Sequence, residues 1–367
     1  MILLSLVIVG FLIFQDLFLG LLLIFNFKKF NGSDSGDLPQ ISILIPCRDE
    51  AENILSCLHS LELLEYPLGK IQLILADDGS TDATAEIILK WQKGTLLNIL
   101  FLSIQNQSEG INGKANALAQ MARKATGEVL LFTDADCQVP AKWAISMVNA
   151  HLQSEAGMVT GVTKVEETNL FSKMQGLDWW LTLGMVKAVS DIGHTLTSMG
   201  NNMLVTKKAY NAVGGFEGIP FSLTEDFEMA RQVKIKGFKA IHLVSGENLI
   251  HTKGQENFWA LLSQRKRWMY GAIRLQVYWI ILLGLQVFFF PAIIFFIIFH
   301  PFEGILFWLL KVLIQGLFIY GFASKTSQKL NIRDLALFEI YYLITAWSTI
   351  VYYFWPAKTD WKGRKYG

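Results

Sequence analysis

The hydrophobic residues of the chain are concentrated towards its two ends. Residues 1–27 are apolar apart from Asp16 and a few amides, and a run of about 20 apolar residues is enough to cross a membrane. Three more apolar stretches crowd the C-terminal part of the chain: 275–299, 304–323 and 336–355. The middle, about 39–255, has the ordinary composition of a soluble domain. The pattern predicts a soluble domain held at a membrane, not a membrane channel.

In that middle part, short β-branched runs alternate with segments that repeat apolar residues at helical spacing. The runs predict strands over 41–46, 71–76, 97–102 and 128–133. The spacing predicts helices over 51–64, 81–93 and 113–125. Alternation of strand and helix favours an α/β fold with a parallel sheet covered on both faces. Ligands of such sheets bind beyond the carboxyl ends of the strands.

Polar residues, many of them acidic, follow the ends of these strands. They are Arg48-Asp49-Glu50, Asp77-Asp78, Gln105-Asn106, and the pair Asp134 and Asp136. Clustered carboxylates repel one another unless a cation sits among them. A hard divalent ion such as Mg²⁺ or Mn²⁺ commonly completes its oxygen shell with substrate phosphates. We therefore expect Asp134 and Asp136 to hold a metal bound to a nucleotide diphosphate. No glycine-rich phosphate loop follows these strands, so carboxylate-held metal and side chains must bind the nucleotide.

A further carboxylate is predicted at the start of a helix. In the stretch FSLTEDFEMARQVKIKG, Thr224 is placed to begin a helix whose first turn contains Asp226. The N-terminus of a helix stabilises a carboxylate and directs it away from the helix face. Asp226 is therefore a candidate general base, with a plain capping role as the alternative.

The stretch SQRKRWMYG (263–271) can be read as one helix with two different faces. Gln264, Arg267 and Trp268 stand at i, i+3 and i+4 and so share a face. Arginine binds phosphate through a planar fork, and tryptophan offers an apolar platform to a sugar ring. Arg265 and Lys266 point elsewhere and suit lipid phosphates at a membrane surface.

Charge and cysteine content narrow the class of protein. A formal net charge of +1 gives no reason to expect a nucleic-acid partner. The cysteines, Cys47, Cys57 and Cys137, have no metal-type spacing and suggest a reducing compartment. Lys28 and Lys29 follow the first apolar run and place the central domain on the cytosolic side.

The basic residues near the C-terminus leave the membrane topology open. The loop before 336–355 carries Lys325, Lys329 and Arg333, and the tail 358–367 is also basic. A full crossing by 336–355 cannot leave both clusters in the cytosol. Either this segment is re-entrant or interfacial, or one of the two basic clusters lies outside the cytosol. A cytosolic tail is the favoured alternative.

Six motifs occur in an order that carries a family resemblance. They are Pro46-x-Arg48-x-Glu50, Asp77-Asp78-Gly79-Ser80, Gly113-Lys114-x-x-Ala117-Leu118, Asp134-x-Asp136, Thr224-Glu225-Asp226 and Gln264-x-x-Arg267-Trp268. Over about residues 40–270 the chain resembles the membrane-bound branch of glycosyltransferase family 2. The resemblance implies a GT-A nucleotide-sugar-binding domain with a Rossmann-like mixed sheet, an N-terminal anchor and C-terminal transmembrane helices.

The resemblance also implies roles for individual residues. Asp78 inherits the contact with uridine, Asp134 lies near the ribose and Asp136 binds the metal. Lys114 faces the nucleotide, and Asp226 is the general base. The nucleotide-binding set is then Pro46, Glu50, Asp78, Lys114 and Asp134.

A second set of residues is expected on the acceptor and diphosphate side. It comprises Gln264, Arg267, Trp268, Gly200 and Asn201, with Arg267 also counted as catalytic. The neighbouring aromatic stretch 178–187 suits either a membrane surface or a buried helix.

These residues together predict an inverting, metal-dependent glycosyltransferase. Its donor is a nucleotide sugar, expected to be a UDP-sugar from the resemblance, and its acceptor a membrane lipid or short glycan. The ending DWKGRKYG resembles that of some lipid-glycosylating members. A processive polysaccharide synthase is the alternative. A nucleotidyltransferase, which would release UMP instead of UDP, or an inactive binding module on the same fold fits less well.

The predicted division of the chain follows from these features. It runs from a transmembrane helix through a linker, a cytosolic catalytic domain and an interfacial helix to C-terminal membrane segments and a basic tail: 1–27, 28–38, 39–255, 256–272, 273–357 and 358–367. The protein is thus expected to be a multi-pass membrane protein in contact with the lipid bilayer.

Overall fold

The computed structural model shows a mixed α/β domain joined to a group of long apolar helices. It describes residues 1–30, 37–105, 110–356, 359–361 and 364–366. The strands are β1 (Ile41–Cys47), β2 (Ile71–Asp77), β3 (Asn98–Ser103), β4 (Val129–Phe132), β5 (Cys137–Gln138), β6 (Met158–Thr160), β7 (Thr163–Val165), β8 (Met203–Thr206), β9 (Ala240–His242), β10 (Ile250–Thr252), β11 (Thr359–Trp361) and β12 (Arg364–Tyr366).

Seven strands form the main sheet, in the order β3-β2-β1-β4-β8-β6-β9. The first four are parallel, as their alternation with helices predicted. Strand β8 runs antiparallel to both β4 and β6, so the whole sheet is mixed, as the family resemblance implied. Both central strands, β1 and β2, are buried along nearly their whole length, because a sheet covered on two faces requires continuous apolar runs.

The helices are α1 (Ile2–Phe25), α2 (Ile54–Glu62), α3 (Thr84–Gln92), α4 (Gly113–Lys124), α5 (Trp143–Ser154), α6 (Leu170–Asp191), α7 (Lys207–Ala212), α8 (Gly215–Gly218), α9 (Glu225–Ile235), α10 (Phe258–Ala272), α11 (Val277–Phe299), α12 (Pro301–Ser324) and α13 (Ile332–Phe354). One face of the sheet is covered by α2, α3 and α5. The other is covered by α4, α7 and α9. Two separate hydrophobic cores therefore fix the sheet in place.

Helix α6 joins the sheet domain to the apolar helices. It contributes Trp180, which is 1% exposed and packs edge-on against Phe322 of α12 at 5.9 Å between ring centroids. The backbone N–H of Lys28, just after α1, donates to Asp191 at 2.9 Å, and the Lys187 Nζ donates to the Lys28 carbonyl at 2.8 Å. Of the two alternatives for 178–187, the buried helix is therefore the correct one. The predicted linker is docked on α6 at its start, and residues 31–36 lie outside the described part of the chain.

Within the described residues, four helices are long and apolar enough to cross a membrane: α1, α11, α12 and α13. Helix α13 is bound at both of its ends, by α6 and by α10. Asp334 in its first turn lies 3.6 Å from the Lys173 Nζ of α6. The Trp355 carbonyl beyond its last turn accepts a hydrogen bond from the Lys266 Nζ of α10 at 2.9 Å.

Candidate active site

A cavity of about 550 Å³ opens beyond the carboxyl ends of β1, β2 and β4. Every site residue predicted from the sequence lines it: Pro46, Glu50, Asp78, Lys114, Asp134, Asp136, Gly200, Asn201, Asp226, Gln264, Arg267 and Trp268. The size falls in the range of pockets that enclose small organic ligands. The ends of β1, β2 and β4 thus converge on one concave site, as the strand-end argument predicted. Of the pair after the third strand, Gln105 does not line this cavity and Asn106 lies outside the described residues.

The loops after β1 and β2 are tied together on one side of this cavity. The Arg48 guanidinium donates to the Asp78 carbonyl at 2.6 Å, and the backbone N–H of Thr81 donates to Asp49 Oδ1 at 2.7 Å. Gly79 adopts φ +72°, a conformation that favours glycine. The turn that presents Asp78 is therefore fixed by backbone geometry and by the neighbouring loop.

The Asp78 carboxylate is bound by an arginine that sequence reasoning did not assign to the site. Arg364, in the C-terminal hairpin of β11 and β12, donates from one terminal nitrogen to Asp78 Oδ2 at 2.5 Å and from the other to Oδ1 at 3.0 Å. The two residues are 286 positions apart, so no local pattern could have paired them. Basic residues in the tail of a membrane protein indicate primarily which side of the membrane the tail lies on. That interpretation of the tail left its contact with Asp78 unpredicted.

Lys114 connects two acidic side chains that line the cavity. Its Nζ lies 2.5 Å from Asp134 Oδ1 and 3.7 Å from Glu225 Oε1. Burial alone would lower the pKa of Lys114, but the Asp134 and Glu225 carboxylates outweigh it and raise that pKa above its ordinary value. Lys114 is therefore a permanent cation at the N-terminal end of α4.

The Glu225 carboxylate is bound by two side chains, Lys114 and Asn112, which distinguishes it from Asp226. Besides Lys114, its carboxylate accepts a hydrogen bond from the Asn112 side chain at 3.2 Å. Asn112 is also the N-cap of α4, accepting from the Ala115 N–H at 2.8 Å. Glu225 thus links the start of α9 to the start of α4, and this contact favours a structural role for it.

Asp226 lies in the first turn of α9, where the sequence placed it. Its Oδ2 accepts from the Gly200 N–H at 2.8 Å, and its Oδ1 accepts from the Phe227 N–H at 2.8 Å. A Cβ added to Gly200 would lie 3.1 Å from this carboxylate, so the close approach depends on glycine. Burial and the neighbouring Glu225 raise the pKa of Asp226 to about 6.

Thr224 is the N-cap residue of α9, as predicted, but its side chain makes no capping hydrogen bond. Its hydroxyl oxygen would instead lie 2.6 Å from a Cβ added to Gly271 of α10. Helix α10 is therefore packed closely against the start of α9, which brings its polar face to the same cavity as Asp226.

Helix α10 presents Gln264, Arg267 and Trp268 to the cavity, in agreement with their predicted common face. The expectation that Arg265 and Lys266 reach lipid phosphates is wrong. Arg265 forms an ion pair with Asp178 of α6, and Lys266 is 3% exposed. Helix α10 is packed between α6 and α13, so these two cations find protein partners instead.

Trp179 and Met199 are among the apolar residues of the cavity wall that were not predicted. Trp179 of α6 packs edge-on against Trp268 with 5.8 Å between ring centroids, and Met199 lies in the same wall. The aromatic stretch 178–187 was the available signal, but its spacing alone could not say which tryptophan faces the cavity. Asn201 also lines the cavity, and its position is fixed by a hydrogen bond in which its amide oxygen accepts from the Thr163 hydroxyl at 3.1 Å.

The two carboxylates expected to hold a metal lie in the same cavity, although Asp134 is also bound by Lys114. Among the residues that the structure describes, no group of three or more His, Cys, Asp or Glu side chains is arranged to hold a metal ion. This donor set still fits Mg²⁺ or Mn²⁺, because such ions are commonly bound by one or two carboxylates together with substrate phosphates and water.

Comparisons with known proteins agree with this geometry. The sequence profile described as glycosyl transferase family 21 matches residues 12–367. The beta-monoglucosyldiacylglycerol synthase of Nostoc sp. is 26% identical over 253 residues, which cover 68% of this chain and 52% of that protein. The poly-beta-1,6-N-acetyl-D-glucosamine synthase of Staphylococcus epidermidis is 25% identical over 260 residues, 70% of this chain and 60% of that protein. The chain thus spans little more than half the length of these relatives.

A solved structure shows the same fold along nearly the whole chain. The mannosyltransferase PcManGT from Pyrobaculum calidifontis, in complex with GDP-Man and Mn²⁺, superposes with a TM-score of 0.61 and 18% identity over 96% of this chain and 99% of that one. The predicted GT-A fold and the predicted membership among the glycosyltransferases are confirmed. The family profile specifies the grouping further than the resemblance to family 2 did: this chain belongs to glycosyl transferase family 21.

Proposed function

We propose that the chain is an inverting glycosyltransferase that moves a sugar from a nucleotide sugar, expected to be a UDP-sugar, to a hydroxyl of a membrane lipid or short glycan. The observation that carries the proposal is the position of Asp226. A carboxylate with a raised pKa, held by two backbone N–H groups, shares one cavity with the nucleotide-side residues and with the phosphate- and sugar-type side chains of α10.

In this reaction Asp226 acts as the general base. Its carboxylate takes the proton of the acceptor hydroxyl while that oxygen attacks the anomeric carbon of the donor sugar. The bond between the anomeric carbon and the diphosphate oxygen breaks in the same displacement, so the configuration inverts. A pKa of about 6 suits this task, because the group is mostly ionised near neutral pH and still accepts a proton.

The leaving diphosphate requires positive charge. Arg267 lines the cavity and would bind the diphosphate as charge develops on it. Asp136, with Asp134, would hold a divalent ion, which when bound neutralises phosphate charge. Lys114 keeps its own charge beside Asp134 and balances the acidic wall on the nucleotide side.

The acceptor side favours a lipid over a polymer. Trp268 is 36% exposed and, with Trp179 and Met199, gives the cavity an apolar wall beside α10. Helix α10 itself leads into α11, which is apolar and long enough to cross a membrane. A relative named for glucosyldiacylglycerol synthesis supports this choice. The relative named for poly-N-acetylglucosamine synthesis supports a processive synthase as the second candidate.

The test is to incubate membranes carrying the full chain with a panel of labelled nucleotide sugars. The matched control is the same membranes with Asp226→Asn. We expect label from one donor to enter a lipid extract, and to do so only with the unchanged chain. Label in a polymer pellet would favour the processive alternative. Release of UMP instead of UDP would identify a nucleotidyltransferase and overturn the proposal.

We also propose a multi-pass topology with a cytosolic catalytic domain. Helices α1, α11 and α12 would cross the membrane, and α13 would be re-entrant or interfacial without a full crossing, because its first turn contacts α6 and the residue after its last turn contacts α10. This assignment places both basic clusters on the cytosolic side. A reporter fused at Gly367 is expected to be cytosolic, and one inserted near Glu303 external; an external tail would show that α13 crosses.

A further inference from the structure

The contact between Arg364 and Asp78 connects the end of the chain to the nucleotide side of the cavity. Both terminal nitrogens of the guanidinium bind the two oxygens of one carboxylate, at 2.5 and 3.0 Å. The Asp78 side chain is only 7% exposed and that of Arg364 22% exposed. Ion pairs with this bidentate geometry are stronger and more directional than those at an open surface.

The surrounding chain is shaped to receive this arginine. A Cβ added to Gly113, the first residue of α4, would overlap the Arg364 guanidinium. Gly113 therefore leaves the space in which the arginine lies between α4 and the turn after β2. The absence of a side chain at this position is explained by Arg364 and not by an unusual backbone angle.

The hairpin that bears Arg364 is anchored beside the same cavity. Lys266 of α10 binds the Trp355 carbonyl at 2.9 Å, and the hydroxyls of Ser263 and Tyr352 lie 3.3 Å apart. Strand β11 then packs on α10. The tail thus leaves α10, which carries the proposed diphosphate residues, and returns to the loop that carries the proposed uridine contact.

We propose that Arg364 is a positioning residue of the donor site, which holds the Asp78 carboxylate oriented for the base of a uridine nucleotide. The inference rests on the proposed function. A carboxylate offers about four lone-pair positions on its two oxygens, so it can accept both arginine nitrogens and an N–H of the base. Without the guanidinium, a nearly buried carboxylate would lose the partner that offsets its desolvation.

The alternative is that the arginine competes with the nucleotide for Asp78, and the two possibilities predict opposite effects. Binding of UDP to the purified full chain distinguishes them, measured by calorimetry with Arg364→Ala, Arg364→Lys and the unchanged chain. We expect Arg364→Ala to weaken UDP binding by about tenfold or more and Arg364→Lys to recover only part, because a single ammonium cannot reproduce the fork. Tighter or unchanged UDP binding by Arg364→Ala would overturn the inference.

A double-mutant cycle tests whether Arg364 acts through Asp78. In an Asp78→Ala background, Arg364→Ala should change UDP affinity by less than about twofold, because the partner is already absent. An equal loss in both backgrounds would show that Arg364 acts on the ligand or the fold directly. Gly113→Ala, which displaces the arginine without removing it, should resemble Arg364→Ala and add little when combined with it.

Two controls separate this inference from the function on which it rests. Arg123→Ala removes an exposed arginine that pairs with Glu217 at 3.3 Å outside the cavity, and it should leave UDP affinity unchanged. In steady-state assays, Arg364→Ala should raise the donor KM while leaving kcat nearly unchanged, which a merely unstable protein would not do. If the unchanged chain fails to bind UDP, the proposed donor class is wrong and the inference falls with it. If it binds UDP but Arg364→Ala binds equally well, only the inference is wrong.

Discussion

Lys114 and Lys311 each lie beside carboxylates, yet their surroundings differ. Lys114 in the cavity lies 2.5 Å from Asp134 and shares its wall with Glu225, Asp136 and Asp226. Lys311, between the apolar helices α12 and α13, lies 2.9 and 3.0 Å from the two oxygens of Glu339 and also binds Gln315. One cluster opens onto a cavity and contains more carboxylates than cations; the other is closed.

Aromatic rings close the second cluster. The Lys311 Nζ lies 4.9 Å from the ring centroid of Phe289 and 5.4 Å from that of Tyr342. Its partner Glu339 is 3% exposed. The buried Asp16 of α1 also lies within electrostatic range of this pair. Charges that are packed among helices and covered by rings can only hold those helices together, since no ligand can reach them. A cavity whose lining carries more carboxylates than cations is arranged to receive a cation, and through that cation a phosphate. Both clusters are built from lysine and carboxylate side chains, so it is their accessibility to a ligand that distinguishes the structural cluster around Lys311 from the functional one around Lys114.

Removal of divalent metal should give the largest effect, and it should act on the cavity alone. An excess of EDTA should abolish sugar transfer, and added Mn²⁺ or Mg²⁺ should restore it, because Asp134 and Asp136 cannot bind the diphosphate without a cation between them. The measurement is transfer of label with and without chelator. Full activity in excess chelator would show that Lys114 and Arg267 supply all the charge that the diphosphate needs.

Replacement of the base should come next in size. Asp226→Asn should lower turnover by about 10²–10⁴-fold, while UDP affinity stays close to that of the unchanged chain. The unfolding temperature at neutral pH should stay the same or rise. The raised pKa of Asp226 means that its ionised form is disfavoured in the folded state, so ionisation weakens the fold there. Turnover near the original value with saturating substrates would reduce Asp226 to a helix cap.

Substitutions in the closed cluster around Lys311 should change the stability of the protein and leave the turnover of each folded molecule unchanged. Lys311→Met leaves Glu339 buried without its cation, and loss of one partner of a buried pair costs about 3–5 kcal/mol. The matched control, Lys311→Met with Glu339→Leu, should recover most of the loss, because it removes both partners of the 2.9 Å ion pair. The measurement is the unfolding midpoint in detergent. Equal destabilisation by the single and double variants would show that packing, not charge, matters there.

The sequence predicted the cavity better than it predicted the membrane part, and there is a physical reason. Strand ends of a parallel sheet meet at one edge, so Asp78, Asp134 and their neighbours could be brought together from local pattern alone. The common face of Gln264, Arg267 and Trp268 followed from helical periodicity in the same way.

Contacts between distant segments could not be predicted by such rules. Arg265 and Lys266 were expected at lipid, because the partners Asp178 and Trp355 lie on elements whose packing has no periodic signature. The same holds for Arg364, which reaches Asp78 from the opposite end of the chain. For α13, hydropathy indicated a span, whereas the basic clusters on both sides of it and the contacts at both of its ends favoured a segment that does not cross.

The smallest expected effect is a shift in the pH dependence, and it tests the coupling inside the open cluster. For the unchanged chain, kcat/KM should fall tenfold per pH unit on the acid side of about 6, because protonated Asp226 cannot accept the hydroxyl proton. Glu225 raises that pKa by repulsion, so Glu225→Gln should move the midpoint to lower pH. It also releases Lys114 from one of its two carboxylates, and the freed ammonium would shift the midpoint in the same direction. Asp226→Asn is the control, since its residual activity should lack this acid limb. A midpoint that stays in place in Glu225→Gln would mean that burial alone sets the pKa of Asp226, and that the two adjacent carboxylates of α9 are electrostatically independent.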